Sequence, residues 1–443
     1  MKGIILLLTL CSMLIAQEDS SYATQKEVSV AETESTHIVG GVFSLAELLE
    51  GAKRNYNLEA KDLAILQAQA TNAAAYTEFL PTVDGAYQYQ DTDNSYMRLK
   101  ANTGSIKGNW EVFSGLKTYH KVREKASLYR ASLEDKESTK DQLFLSIIEQ
   151  YYGYFTNRAK LVSLEQKRVQ LQSNVKRVER LFNAGLTTVD DVESLRSEFL
   201  ATEHELANVR LEAEKNKLML SLLANVEVGD LERKTIKAPL FKLEENRHDL
   251  NMLGFQADSA KYQARQITYL PIISISDTYV SNGGVDAAFK GLGAAEAAQY
   301  GSIITRQYPP KQNQIMINAT IHLDFLTTYK QYQAARLGYL KNLKELAYKK
   351  EEQKKDEKLY RKSLEIAVAK IKASEAALRS ASIAFENVAK KYDAQILNFT
   401  DYLQSLTTKV EAEATYNQAL NDYEMQKAYY IYYSGQDLQE HIQ

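Results

Sequence analysis

The chain has 443 residues, with 54 basic against 57 acidic side chains and a formal net charge of -3. A near-neutral, mixed-sign composition lacks the basic footprint of a nucleic-acid binder, so no nucleic-acid partner is expected. Five prolines against 29 tyrosines suit long helices with interfacial aromatics, and the single cysteine, Cys11, excludes a disulfide framework.

Lys2, an apolar core from Ile4 to Leu10 and the small residue Ala16 read as an export signal peptide over residues 1–16. That core is too short to span a bilayer. No other stretch approaches about 18 uninterrupted apolar residues, so any membrane span must be built from strands. A lipid anchor at Cys11 would need cleavage after Leu10, which is bulky for that place. Residues 17–42 are polar, Ser/Thr/Glu-rich and aperiodic, an extended N-terminal segment.

Residues 43–225 form a first repeat. After a helix, Phe79-Leu80-Pro81-Thr82-Val83 switches the pattern to alternation, and a strand pair is expected over about 82–113. Val83, Gly85, Tyr87 and Tyr89 oppose Thr82, Asp84, Ala86 and Gln88. Ile106, Gly108, Trp110 and Val112 oppose Ser105, Lys107, Asn109 and Glu111. The loop between them, Asp91 to Ser95, is short and acidic. From Ser114 to Phe182 there is no proline and, past Gly115 at its start, one internal glycine, Gly153, so a helix of about 100 Å is expected at 1.5 Å per residue. Within it Leu161, Leu164, Arg168, Leu171, Val175, Val178 and Phe182 keep the alternating three–four spacing of a coiled-coil seam. Asn183-Ala184-Gly185-Leu186 turns the chain, and Val192, Leu195, Phe199, Thr202, Leu206 and Val209 carry the seam back.

Residues 226–247, broken by Gly229 and Pro239, are a linker. A second repeat, 248–434, follows the same order. Tyr269-Leu270-Pro271-Ile272-Ile273 is its switch, and a strand pair is expected over about 272–325, its second strand alternating from Gln312 to Phe325 after a long Gly/Ala-rich loop from Ser281 to Lys311. Leu364, Val368, Ile371, Glu375, Leu378, Ser382 and Phe385 then go out, and Phe399, Leu403, Leu406, Val410, Glu413, Asn417 and Leu420 return. This seam is wetter. It suits helices packed laterally around water, or register control by a few polar residues. Tyr429-Tyr430-Ile431-Tyr432-Tyr433 reads as core packing, and residues 435–443 are a C-terminal tail.

Two-faced strands fit a soluble sheet or a membrane barrel equally well. Four strands cannot close a barrel, whereas three chains giving twelve can, and export tips the reading towards the membrane. The six histidines, His37, His120, His204, His248, His322 and His441, form no i, i+3 or i, i+4 pair suited to a metal. No phosphate loop, nucleophile elbow or cysteine motif is present, so the reading is a non-enzyme without cofactor.

Two copies of helix, Leu-Pro, strand, loop, strand and long helical hairpin resemble the TolC-like outer membrane efflux proteins over about Phe43 to Gly435. The resemblance implies a mainly α fold with a membrane β-barrel, in which a trimeric twelve-stranded barrel continues into a periplasmic α-helical barrel. An equatorial band would come from about Val226 to Arg247 and from the tail after Gly435. It implies the outer-membrane exit duct of a tripartite efflux or type I secretion system in a Gram-negative envelope, spanning into the periplasm. Small toxic compounds or polypeptides would pass through it. Its partners would be two further copies of itself, a periplasmic adaptor (membrane fusion) protein, an inner-membrane transporter and outer-membrane lipid. The alternatives are a periplasmic adaptor-type protein and a structural coiled-coil envelope protein without a channel.

The family keeps acidic rings at the closed periplasmic end. Aligned on that pattern, Asp401 takes the first ring position and Gln404 the second, so the second carboxylate is missing, and Asp191 takes the equivalent step in the first hairpin. The basic residue that ties neighbouring hairpins in some relatives falls at Leu397, so that latch is not expected. Thr188-x-x-Asp191 and Asn398-x-x-Asp401 also read as helix N-caps with an acid at the third helical position. Gly185 suits a left-handed helix ending, and Gln395 stands in its place in the second tip. The tip residues Gly185, Leu186, Thr187, Gln395, Ile396 and Leu397 are the expected adaptor-docking points, and Pro81 and Pro271 are the helix-to-strand switches.

Overall fold

The structure is a computed structural model that describes residues 41–244, 247–394 and 396–442, less the side chains of Thr305 and Phe399. The export signal with Cys11, the polar lead-in to residue 40, with His37, and the tip residue Gln395 lie outside the described residues.

A short strand β1 (Val42–Phe43) leads into α1 (Leu45–Ala52), whose start is fixed by a capping box between Ser44 and Glu47. Asn55 caps α2 (Tyr56–Thr77), and Pro81 separates it from β2 (Thr82–Asp93). Asn94 turns the chain into β3 (Met97–Ser114) by accepting hydrogen bonds from the amides of Tyr96 and Met97. Gly115 and Leu116 both hold positive φ at the corner into α3 (Lys117–Asn183). A side chain at Gly115 would come within 3.1 Å of the Leu270 carbonyl, so glycine is required there on two counts. Helix α4 (Val189–Ala224) returns and ends in the linker strand β4 (Asp230–Leu231). The second half runs α5 (His248–Arg265), β5 (Ile272–Phe289), α6 (Ala294–Gln307), β6 (Lys311–Thr320), α7 (Phe325–Asp393) and α8 (Phe399–Ser434).

The two strand pairs form one antiparallel sheet in the order β2-β3-β5-β6, joined between repeats by β3 and β5. Register aligns Val83, Gly108, Asp277 and Ile315 in one row. Alternation then gathers Val83, Tyr87, Ile106, Trp110, Ile275, Tyr279, Ile315 and Ile317 on one face. Asp84, Gln88, Lys107, Asn109, Ser276, Thr278, Gln314 and Asn318 take the other. Many of the apolar face's large side chains are exposed, Ile317 by 71% and Ile315 by 66%, which a soluble sheet would not leave uncovered.

Two strand limits differ from expectation. β6 stops at Thr320, so Ile321 and Leu323 lie beyond the strand and Phe325 begins α7. Thr320 pairs with Ile272, the first residue of β5, and Pro271 before it has no amide hydrogen to continue the ladder. The expected loop from Ser281 to Lys311 is mostly ordered. β5 continues to Phe289 against β3, and the Ala-rich stretch folds as α6 behind Gly293 and Glu296.

The first seam is dry: Leu164, Leu171, Val178, Val192, Leu195, Leu206 and Val209 are buried, while Phe182 at the tip is exposed. In the second, Leu364, Leu406 and Val410 are buried but Val368 is exposed. The main core lies where α1, the middle of α3 and the ends of α4 and α8 meet around the linker, with Phe144, Ile147, Tyr151, Tyr152 and Ile431 fully buried. Gly51 permits this, because a Cβ there would come within 2.6 Å of the Ala224 carbonyl. Tyr151 donates to the Glu232 carbonyl and accepts from the Lys234 amide at 2.9 Å, and Tyr152 donates to the Lys234 carbonyl at 3.0 Å. The linker also meets the tail through an Ile236–Ile442 bridge. Among the described residues no helix is long and apolar enough to cross a membrane.

Candidate functional site

The hairpin tips hold most of the residues of interest. In the first, Gly185 adopts φ +72° and the Leu186 amide donates back to Leu181 at 2.9 Å. The second has the corresponding bond, from the Ile396 amide to Lys391 at 2.9 Å. Leu186 and Ile396 are 73% and 71% exposed, while Leu397 is half-buried.

Asp191 and Asp401 differ in their local bonds. One oxygen of Asp191 accepts from the Thr187 hydroxyl at 2.6 Å, the Thr188 hydroxyl at 3.0 Å and the Thr188 amide at 3.4 Å. These bonds hold its carboxyl below the usual range, the Thr187 hydroxyl first. At Asp401 the amide donates to Asn398 Oδ1 at 2.9 Å, but the exposed carboxylate has no hydrogen bond or ion pair among the described residues.

Asp401 begins a stripe that the sequence reading passed over. On α8 the exposed residues Asp401, Gln404, Thr408, Glu411, Thr415 and Gln418 recur at alternating intervals of three and four, opposite buried Tyr402, Leu406 and Val410. They make a polar wall about 25 Å long at 1.5 Å per residue. Attention to the apolar seam hid this, although the polar residues keep the same period.

A second missed feature joins the hairpins. Arg177 of α3 pairs with Asp393 at 3.2 Å, and its guanidinium lies 4.8 Å from the Tyr392 ring centre. Tyr392 stacks on Tyr402 at 4.7 Å, and the Tyr402 hydroxyl lies 3.4 Å from Gln170 Oε1. A basic link therefore ties the first hairpin to the second tip, from Arg177 rather than from position 397. The clue in the sequence was aromatic, with Tyr392 and Tyr402 flanking the turn.

At the other end, Pro81 and Pro271 sit between helix and strand amid aromatic rings. Trp110 Nε1 donates to the Phe79 carbonyl at 2.9 Å, and Tyr269 tilts against Phe325 at 5.7 Å. Such a belt suits a membrane–water boundary. Among the described residues no group of three His, Cys, Asp or Glu side chains could hold a metal.

The chain thus combines a four-stranded sheet bearing one largely apolar face with two long helical hairpins, one of which carries a polar stripe. Residues 50–226 match the sequence pattern of the outer membrane efflux protein family. Three solved channels share the fold over 89% of this chain. The CmeC outer membrane channel of Campylobacter jejuni is 14% identical, with 87% of its chain covered and a TM-score of 0.74. For VceC of Vibrio cholerae the values are 15%, 96% and 0.73, and for the open state of the Neisseria gonorrhoeae MtrE channel 13%, 89% and 0.69. No curated protein matches the sequence.

Proposed function

We propose that the chain is the outer-membrane exit duct of a tripartite efflux system, passing small toxic compounds or polypeptides outward. Three copies close a twelve-stranded barrel through the edge strands β2 and β6, and their hairpins form the periplasmic tube. The observation that carries this reading is the two-faced sheet, apolar outside and polar inside, placed directly on the long hairpins. A periplasmic adaptor docks at the exposed tips around Gly185, Leu186, Thr187, Ile396 and Leu397, and at Gln395. An inner-membrane transporter supplies the energy. Asp401, Gln404 and Asp191 stand at the aperture, with Asp401 facing the axis at the foot of the polar wall. Three carboxylates about 8 Å apart in water repel by only about 0.5 kcal/mol per pair, so Asp401 tunes selectivity while packing between hairpins closes the aperture.

The test is single-channel conductance in a planar bilayer under a salt gradient, for the parent chain and Asp401→Ala. A small cation-preferring conductance whose preference weakens in the variant supports duct and aperture together. An unchanged preference would reduce Asp401 to a first-turn acid beside the positive end of its helix, and a folded trimer that never conducts would overturn the duct.

A further inference from the structure

Away from the tips and the wall, three segments meet around a cavity of about 390 Å³: the middle of α3, the linker with the start of α5, and the tail after Gly435. The tail is held there by bonds to the linker backbone. Gln436 Nε2 donates to the carbonyls of Leu240 at 2.6 Å and Lys242 at 3.1 Å, the Glu244 amide donates to Ser434 at 2.8 Å, and the Lys237 amide donates to His441 at 2.8 Å. Gly435 makes the turn at φ +82°, where a Cβ would come within 3.0 Å of the Glu244 carbonyl. These bonds place the tail; the charged side chains around the cavity do not balance.

Half-buried Asp141 on α3 lines this cavity, and its carboxylate makes no hydrogen bond among the described residues. Each cation that faces it already has an acid of its own. Lys140 is bonded to Glu137, and His248 Nδ1 lies 2.7 Å from Glu134. Arg247 directs Nε and Nη2 at Asp249, at 2.6 and 2.8 Å, and its Nη1 is buried without a partner. From the tail come Asp437, Glu440 and His441, the last with Nδ1 at 2.9 Å from the Asp437 carbonyl. From the linker comes Glu244, and from the end of α8 comes Tyr432. Asp141 is thus a surplus carboxylate facing acids on the segment that must stay docked.

We propose that Asp141 is a proton-operated catch on the C-terminal tail: protonated, it lets the tail lie closed on α3, and ionised, it loosens that contact. Desolvation first, then the Asp437 and Glu137 charges, push its carboxyl up to about 6 against the opposing effects of His248 and Lys140. A carboxyl raised in the docked state above its free value near 4 favours docking at low pH, and this contribution is lost as pH rises through about 6. The catch therefore works between about pH 4 and about pH 6 and is fully released above that. It acts on the junction of linker and tail, whether or not substrate is moving through the duct.

Hydrogen exchange of the full-length protein in detergent tests it, using protection factors for residues 436–442 corrected for intrinsic pH dependence. Protection should fall on the order of 10-fold between pH 5 and pH 7.5, with the midpoint of the opening constant near 6, and Asp141→Asn should stay protected at both ends. Asp437→Asn, which keeps Asp141 and removes a repulsive neighbour, should move the midpoint down, and His248→Gln should move it up. A parent protein with flat protection overturns the catch. So does an Asp141→Asn variant that titrates like the parent, or a transition abolished by His248→Gln or His441→Asn. Should Asp141→Asn fail to fold, the opposite midpoint shifts of the Asp437 and His248 variants decide the matter.

Discussion

Asp191 and Asp401 each stand three residues after a capping side chain, yet only Asp191 is tied into its cap. The difference lies in the donors at and just before the cap, where the Thr188 and Thr187 hydroxyls both reach Asp191. Thr187 offers a hydroxyl to Asp191, whereas Leu397 has no donor for Asp401. The capping motif was legible in both tips, but which carboxylate stayed free depended on side-chain geometry at those positions. Replacing Thr188 by Ala should cost about 1 kcal/mol of local helix stability, read as faster amide exchange over residues 188–192. Because the Asp191 carboxyl is lowered in the folded tip, the stability it contributes is present above about pH 4 and is lost as pH falls through the lowered folded value. Exchange in the first tip should rise on acidification in the parent and lose that added dependence in Asp191→Asn. A parent tip indifferent to acid would show that the threonine bonds do not persist in solution.

Helices α3 and α4 follow from a repeated three–four spacing, and burial of Leu164, Leu171, Leu195 and Leu206 shows why that pattern was sufficient. Strand limits were less legible, since alternation continues past Thr320 after the hydrogen-bonding partner has run out. The anchoring of the linker was also hidden, because Glu424 and Lys427 at i, i+3 look like an ordinary surface pair. In the fold both are buried, 2.7 Å apart. Glu424 accepts the Ile236 amide at 2.8 Å and Lys427 donates to the Ile236 carbonyl at 2.5 Å. Removing one partner leaves a buried charge and an unsatisfied peptide group, so Lys427→Met should destabilise the protein by about 3–5 kcal/mol. Glu424→Leu combined with Lys427→Met should recover part of that loss, because no unpaired charge remains. Thermal melts of the detergent-solubilised protein give both values. A double variant worse than the sum of the singles would mean that the pair's bonds to Ile236 outweigh the cost of burying its charges.

The whole molecule presents surfaces that one chain leaves uncovered. The sheet has two edges, β2 and β6, and its apolar face is exposed. On α4, Leu200, Leu211, Leu218 and Leu222 are between 55% and 65% exposed, and on α7 so are Leu359, Ile366 and Ile383, by 57–68%. The seam pattern gave no warning of these residues because they lie on the opposite side of helices whose apolar stripe was already assigned. In the proposed trimer, neighbouring copies would cover these residues of α4 and α7, and the barrel would close where β2 meets β6. Burying an exposed leucine contributes about 1.5–3 kcal/mol, so two leucines repeated at three interfaces hold a substantial share of the assembly. Leu218→Glu with Leu222→Glu should therefore leave each protomer helical while the trimer dissociates in mild detergent. Mass photometry would show the loss of the trimer, and circular dichroism the retained helix. Trimers that survive both substitutions would place the contact on another helix face and leave barrel closure as the main bond between copies. Unfolded protomers would instead show that this end of α4 is needed for the core around Leu220 and Ala224, and Leu211→Glu, further from that core, would then carry the test.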